Sequence, residues 1–277
     1  MKHLILAVLC SVAISVLLRL SEKRAEHRMV LFTSNYIVDV LLSLFFLLLE
    51  NRLSIEVSHI DVGFGIVSGI MYLVSFVLLQ YNIEKNGVVL AATFMKLGVL
   101  IPIIFSIFVF GELPGTYQKI GFVIALIAIL FIYVEKQEQR SNAKMWLAFL
   151  LIAGGFTDVW AKVYEELGQE SHMNVYLLCT FMAATFVSLG CAVIKRERPS
   201  WNDIAWGAAV GVPNYLATRF LLLALQEIDA IIVFPVYNVG TIFIVGMVGV
   251  FFFKEQLTKQ KWLGYILVIV AILLLNV

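Results

Sequence analysis

Charge is scarce in this chain of 277 residues, and that scarcity excludes most soluble proteins. Lys, Arg, Asp and Glu together make up 14% of the sequence, hydrophobic residues make up 61%, and the mean hydropathy is +0.95. A water-soluble domain needs more polar surface than this composition supplies. The net charge of +1 comes from basic residues in short connectors, so we expect no nucleic-acid-binding face and no nucleic-acid partner.

Cysteine, histidine and catalytic motifs are also scarce. The three cysteines, Cys10, Cys179 and Cys191, lie in apolar runs without a C-x-x-C pair, which favours buried side chains over a metal or redox site. The four histidines are scattered in or beside connectors, and the sequence has no G-x-S-x-G and no H-E-x-x-H. These absences argue against an intramembrane enzyme, and we expect no catalytic residue, metal ion or cofactor.

Apolar runs of about 20 residues, the length that crosses a bilayer, fill the chain instead. Backbone groups in hydrocarbon must be hydrogen-bonded internally, so these runs are predicted to be helices. The connectors at 81–86, 111–115 and 226–229 are short enough for tight helical hairpins. The ten predicted spans are 3–20, 29–49, 62–80, 87–110, 116–134, 146–164, 175–193, 204–225, 230–252 and 262–277.

The second half of the chain repeats the first at a constant offset of 143 residues, without a gap. This offset places Glu255 on Glu112, at the same point of a hairpin. We therefore predict two repeats, 1–134 and 144–277, joined by a linker at 135–143. Five spans are an odd number, so the second repeat is inverted. The predicted fold is an all-α integral membrane protein with ten transmembrane helices in two inverted five-helix repeats.

Basic residues indicate how the chain is oriented. Lys and Arg concentrate in the connectors of one side, whereas the other side has only Lys2, Arg52 and Lys119. The connector 21–28 is basic, and its counterpart 165–174 has three Glu and no Lys or Arg. We therefore predict a multi-pass protein of the plasma (inner) membrane with both termini outside the cytoplasm.

The hairpins at 106–134 and 249–277 are similar to a pattern in which an apolar helix ends in G-E-x-L and a Q-x-x-G follows, although Leu113 directly follows Glu112 in the first copy and Lys261 replaces the Gln in the second. The second copy has Lys254 in place of the first Gly and keeps Glu255 and Gly264. This pattern resembles the hairpin of the drug/metabolite transporter superfamily, and ten spans in two repeats resemble its EamA-type branch. The first copy contains Gly111, Glu112, Leu113, Gln118 and Gly121.

The resemblance implies a secondary carrier or exporter of small metabolites, with a central cavity between the halves. It does not identify the substrate. Many relatives place both termini in the cytoplasm, which is opposite to the charge bias of this chain. We interpret Glu112 and Glu255 as folding elements that accept N–H groups at the start of the next helix.

Ionisable residues within spans are the first candidates for a transport site, because each costs about 2.5–3.5 kcal/mol near a helix centre. Lys96 and Arg219 are predicted to attract an anionic group of the substrate, or else to form internal ion pairs with Asp39 or Asp158. The two aspartates are candidates for a proton-coupling carboxylate. Lys162 is predicted to pair with Asp158 one helical turn away, or to anchor a span end at the interface.

Uncharged polar residues near helix breaks are predicted to line the same substrate site. Asn214 follows Pro213, and Tyr237 and Asn238 follow Pro235, each within a predicted span. The alternative role for all of these polar residues is helix–helix hydrogen bonding. These candidates are Tyr72, Asn214, Tyr237 and Asn238.

The leading functional prediction is a secondary transporter or exporter that moves a small polar or anionic metabolite by alternating access. Its partners are then a small-molecule metabolite and the lipid bilayer, and the sequence leaves open whether the chain forms a homodimer. The alternatives are a lipid-carrier flippase or a non-transporting membrane scaffold of the same fold.

The predicted orientation is tested by cysteine labelling in intact cells. A single cysteine introduced as Arg198→Cys, in a variant whose three native cysteines are replaced by serine, is expected to resist an impermeant maleimide added outside. Glu170→Cys in the opposite connector is the matched control and is expected to react. Labelling of Arg198→Cys from outside would refute this topology.

Overall fold

The structure, a computed structural model, describes residues 1–21, 24–49, 58–86, 94–95, 98–133, 144–169, 172–251 and 259–275. Within these residues run ten helices and no strand. The helices are α1 (Lys2–Ser21), α2 (Arg28–Leu49), α3 (His59–Asn86), α4 (Leu100–Phe105, continued by a π-helical turn at Ser106–Phe110), α5 (Thr116–Tyr133), α6 (Lys144–Leu167), α7 (Met173–Ile194), α8 (Trp201–Glu227), α9 (Ala230–Phe251) and α10 (Lys259–Leu275).

Helix length and composition confirm an all-helical chain suited to a membrane. Of the described helices, six are long and apolar enough to cross a bilayer, namely α2, α3, α6, α7, α8 and α9. Shorter apolar stretches lie in α1, α4, α5 and α10. The predicted connector at 81–86 is wrong, because α3 continues to Asn86. This segment contains no Gly or Pro, and Lys85 in the last turn favours the negative end of the helix dipole.

The main helix contacts join the first half of the chain to the second. Helix α2 packs on α8, and the counterparts of these helices in the other halves, α7 and α3, also pack on each other. In the same way α1 packs on α8, and their counterparts α6 and α3 pack on each other. Helix α1 also contacts α9, and the counterparts α6 and α4 contact each other. The contacting pairs α2–α7 and α5–α10 each consist of a helix and its own counterpart. Exchanging the halves therefore preserves these contacts, and the core lies between the two halves.

Glycines set the two closest crossings. Gly65 and Gly69 on α3 face α7, and Gly207 and Gly211 on α8 face α2. A Cβ atom added at Gly211 would lie 2.7 Å from the carbonyl oxygen of Asn35, so the two backbones come closer than a side chain allows. Small residues at this spacing permit such close packing between membrane helices.

These crossings correct the constant offset between the halves. The backbone nitrogen of Thr180 lies beside Gly65, as that of Asn35 lies beside Gly207. The sequence separation between equivalent residues of α3 and α8 is thus one residue smaller than the constant offset. Between equivalent residues of α2 and α7 it is two residues larger. Apolar sequences match almost as well when shifted by a residue, so only contacts reveal the register.

Carboxylates join helix ends at both faces of the molecule. Asp203, in the first turn of α8, accepts N–H bonds from Glu26 (2.8 Å) and His27 (3.3 Å) just before α2. The equivalent Asp61, in the first turn of α3, bonds the Nδ1 atom of His172 (2.6 Å) just before α7. Each half thus uses a buried carboxylate to hold the start of a helix in the other half.

The glycine crossing is tested by a matched pair of substitutions on α3. Gly69→Ala is expected to destabilise the protein by about 1–3 kcal/mol, because the added Cβ overlaps the Thr180 carbonyl and lies 2.9 Å from the Cβ of Ala183. Gly63→Ala, where a Cβ meets nothing within 4 Å, is expected to leave stability unchanged or to raise it. Thermal unfolding in detergent measures both, and equal melting temperatures would contradict the described crossing.

Candidate functional site

A stripe of hydroxyl groups runs along α3 and faces the second half. Ser68, Tyr72 and Ser75 are spaced by four and three residues, so they lie on one helix face. The Ser68 hydroxyl hydrogen-bonds with that of Tyr176 on α7 (2.8 Å), and the Ser75 hydroxyl with that of Thr157 on α6 (2.9 Å). The stripe therefore marks a polar seam between the halves.

At the middle of this seam, polar side chains from five helices converge; we call them the central cluster. The Tyr72 side chain lies beside Thr218 on α8. Asp158 on α6 lies close enough to both Tyr72 and Tyr237 on α9 to interact with them electrostatically. The Tyr237 side chain also lies beside Ser11 on α1. The structure thus brings three of the predicted site residues together: Tyr72, Tyr237 and Asp158.

A cleft opens above the central cluster on the amino-terminal face, the face that carries Met1 and Glu227, whose charged groups are 3.4 Å apart. The cleft is small and only partly open to solvent, with room for about one water molecule between its lining atoms. It lies where the ends of α6 and α8 meet the start of α7. Its lining residues are Tyr164, Glu165, Gly168, Gln169, Met173, Leu222 and Gln226.

Two stacked tyrosines connect the cleft to the central cluster. Tyr164, in the cleft wall, stacks on Tyr176 with ring centroids 3.6 Å apart, and both rings are buried. Tyr176 in turn lies within electrostatic range of Tyr72. A continuous line of tyrosines therefore leads from the partly open cleft to the interior.

Arg219 lies beside this line, one helical turn inward from Leu222 in the cleft wall. Its Nη1 atom donates to the Oδ1 atom of Asn174 and to the hydroxyl of Tyr215 (3.3 Å). Its guanidinium carbon lies 4.3 Å from the centroid of the Phe46 ring, a cation–π geometry. The predicted cation is therefore held in a defined position near the cleft.

The other predicted residues lie apart from the central cluster. Asp39 is fully buried at the crossing of α2 and α8, where its Oδ2 atom accepts from Asn214 (2.7 Å). The Asn238 amide donates to the Phe234 carbonyl one turn earlier in its own helix (3.0 Å). Lys96 lies outside the described residues.

Lys162 forms the centre of a buried ion cluster on the amino-terminal face. Its side chain is 3% exposed, and its Nζ atom lies 2.9 Å from Glu112 and 2.7 Å from both Glu165 and Glu166. The prediction of an interfacial anchor or an ion pair with Asp158 is therefore wrong. Glu112 is fifty residues away in sequence, so helix spacing alone could not have identified this partner.

The Glu112 carboxylate holds a helix start, as predicted, but a different one. It accepts N–H bonds from Ala230 (3.3 Å) and Ile231 (3.2 Å) at the start of α9, whereas the sequence predicted the next helix, α5. The α4–α5 hairpin of the first half is thus joined to the second half. Its counterpart Glu255 lies outside the described residues.

Several residues of the polar seam were missed from the sequence, although some left a signal. Ser68 and Ser75 share a helix face with Tyr72, and Thr218 lies four residues after Asn214 on one face of α8. Extending the helical spacing from the predicted residues would have found them. Tyr176 has no such signal, since a single tyrosine in an apolar span is also typical of ordinary packing.

Comparisons with known proteins agree with this architecture. The model of the EamA-like transporter family matches the chain twice, at residues 2–134 and 141–277. An uncharacterised protein of Haemophilus influenzae is 27% identical over 284 residues, spanning 98% of this chain and 96% of its own length. A protein of known crystal structure is similar with a TM-score of 0.81 at 11% identity, covering 99% of this chain and 94% of its own. That likeness supports the fold.

The ion cluster is tested by removing its cation. Lys162→Met leaves three carboxylates close together without a counter-charge and is expected to cost about 3 kcal/mol of unfolding free energy, measured in detergent. Glu166→Gln, at a side chain 36% exposed, is the matched control and is expected to cost less than about 1 kcal/mol. Equal losses would contradict the central position of Lys162.

Proposed function

The chain belongs to the EamA-like transporter family, and from that premise we propose that it is a secondary active transporter that moves a small polar or anionic metabolite across the membrane by alternating access. The observation that carries this proposal is the line from the cleft through Tyr164 and Tyr176 to the central cluster. A polar route within an interface between repeated halves is where such carriers hold their substrates.

In this proposal all ten helices span the plasma (inner) membrane as two inverted five-helix repeats. The exchange-symmetric contacts between the halves support it, because a twofold axis in the membrane plane relates inverted repeats in the same way. The basic connectors then lie in the cytoplasm, and both termini and the cleft lie outside.

The substrate in this proposal enters at the cleft and binds at the central cluster. Arg219 is placed to meet an anionic group, since its guanidinium can donate two parallel bonds to a carboxylate or phosphate. Asn174 and Tyr215 hold that guanidinium in position. Hydroxyl groups of Tyr72 and Tyr237 provide donors and acceptors for the polar part of the substrate. Lys96 remains a proposed substrate contact.

The experiment that tests the function is an uptake panel with the purified protein in proteoliposomes. The panel contains amino acids, nucleotides and phosphorylated metabolites, and at least one is expected to exchange faster than in empty liposomes. The absence of flux for every compound would overturn the proposal, and movement of labelled lipid between leaflets would favour the flippase instead.

The substrate route is tested by two tyrosine substitutions on α3. Tyr72→Phe removes a hydroxyl of the central cluster that lies beside Thr218, and it is expected to lower kcat/KM for the transported compound about tenfold, the value of one lost hydrogen bond to the substrate. Tyr81→Phe, whose ring contacts Trp146 near the far end of the same helix, is the matched control and is expected to retain wild-type transport. Unchanged transport by Tyr72→Phe would remove this residue from the route.

A further inference from the structure

The crossing of α2 and α8 contains a buried carboxyl group with an uneven hydrogen-bond pattern. Asp39 is 0% exposed, and its Oδ2 atom faces two amide donors, Asn214 (2.7 Å) and Asn35 (3.5 Å). Its Oδ1 atom has no hydrogen-bond partner among the described residues. One oxygen thus behaves as the carbonyl of a carboxylic acid, and the other occupies the position of its hydroxyl group.

Two further buried oxygens beside Asp39 also lack a partner in the described part of the chain. They are the Tyr36 hydroxyl, close enough to interact electrostatically with Asp39, and the Oδ1 atom of Asn35. Within the described residues, Asp39 also forms no salt bridge. Among the described residues, an ionised carboxylate here would be a buried charge without a counter-charge, which is among the costliest arrangements in a protein.

From this geometry we infer that Asp39 is a proton-binding site, protonated on Oδ1 in the packed state described here, and that its proton is the coupling ion of transport. This inference rests on the proposed transport function. The bound proton removes the buried charge and makes Oδ1 the hydroxyl oxygen of a neutral acid. Both donors on Oδ2 are N–H groups, a pattern that suits a carboxyl group better than a metal cation, which binds oxygen atoms.

In the part of the chain that the structure describes, the groups around Asp39 do not supply an alternative charge partner. The guanidinium of Arg219 lies one helical turn beyond Tyr215 and donates to Asn174 and Tyr215. The tyrosines near Asp39 are neutral at physiological pH and act as hydrogen-bonding groups. Among the described residues, the titratable or charged groups near this region are Tyr36 on α2, Tyr72 on α3, Tyr176 on α7, and Tyr215 and Arg219 on α8. The backbone N–H of Tyr215 also lies near the Asp39 carboxyl group.

The local backbone connects the proton to a movement of α8. Gly211 lets α8 lie directly on the backbone of α2 beside Asn35, and Asn214 reaches Asp39 three residues later. Between them, Pro213 has no N–H to donate, so α8 lacks one internal hydrogen bond at this point. Bending there separates Asn214 from Asp39 and admits water to the carboxyl group.

Each transport cycle then forms one O–H bond on Asp39 and breaks it again. The proton comes from water on the side to which the site is open, and it returns to water on the other side. Its release leaves a carboxylate that is stable only while the crossing is hydrated. Closure of α2 on α8 therefore requires the proton, which couples proton movement to the conformational change.

Infrared spectroscopy of the full-length protein in liposomes tests the proton site without any substrate. At about pH 7 exposed carboxyl groups are ionised, so the C=O band of a protonated carboxyl group is expected in the wild-type spectrum. This band is expected to disappear in Asp39→Asn, to persist in Asp158→Asn and to shift in Asp39→Glu. A band that remains in Asp39→Asn, or disappears in Asp158→Asn, would overturn the assignment.

Coupling is tested with a compound that the uptake panel identifies. An imposed pH gradient is expected to drive accumulation by the wild-type protein, and the ratio of gradient-driven uptake to exchange is expected to fall about tenfold in Asp39→Asn. An unchanged ratio, or accumulation driven by sodium instead, would overturn the coupling role. No flux in the wild type would count against the proposed function alone, since the infrared result is independent of transport.

Discussion

A polar group inside a membrane must find its partner within the protein, because hydrocarbon offers none. In this molecule several of these partners come from the opposite half of the chain. Glu112 holds the start of α9, Asp203 the residues before α2, and Asp61 the residue before α7. The apolar surfaces of helices pack on lipid and on one another almost equally well, so these polar contacts decide which helices meet. The same requirement gathers polar side chains at the interface between the halves.

Much of the fold could be predicted because a bilayer restricts the chain to apolar helices of a known length. The prediction of the fold failed for features that the bilayer does not restrict. Residues 81–86 are polar enough for a connector, yet α3 continues through them, since polarity alone does not terminate a helix. The register between the halves was also missed, because an apolar span matches its counterpart equally well when shifted by one residue. Contacts at Gly65 and Gly207, where backbones meet, resolve it.

The sequence identified some of the buried polar residues and did not identify their partners. The cost of burying polar groups identified Asp39, Asp158, Tyr72 and Tyr237 without a structure. Partners depend on how distant segments pack, which local spacing does not contain. Lys162 shows the difference, because its i,i+4 neighbourhood suggested Asp158, whereas the packed helices bring Glu112 to its ammonium group. Spacing still carries information within one helix, as the hydroxyl stripe of α3 shows.

The two halves share the same arrangement of helices and differ in the polar side chains that those helices carry. In the register set by the contacts, Tyr36 corresponds to Phe181, and the two rings stack near the twofold axis with centroids 6.4 Å apart. In the same register Ala184 of α7 is the equivalent of Asp39 in α2. The crossing of α3 and α7 therefore has no carboxyl group at the equivalent position. Separating α2 from α8 then changes the cost of ionising a buried acid, and separating α3 from α7 does not. In the proposed mechanism, binding of a proton therefore favours closure of the α2–α8 crossing and has no such effect on the α3–α7 crossing. The two movements, which the repeated scaffold would otherwise make equivalent, then differ in their dependence on the proton.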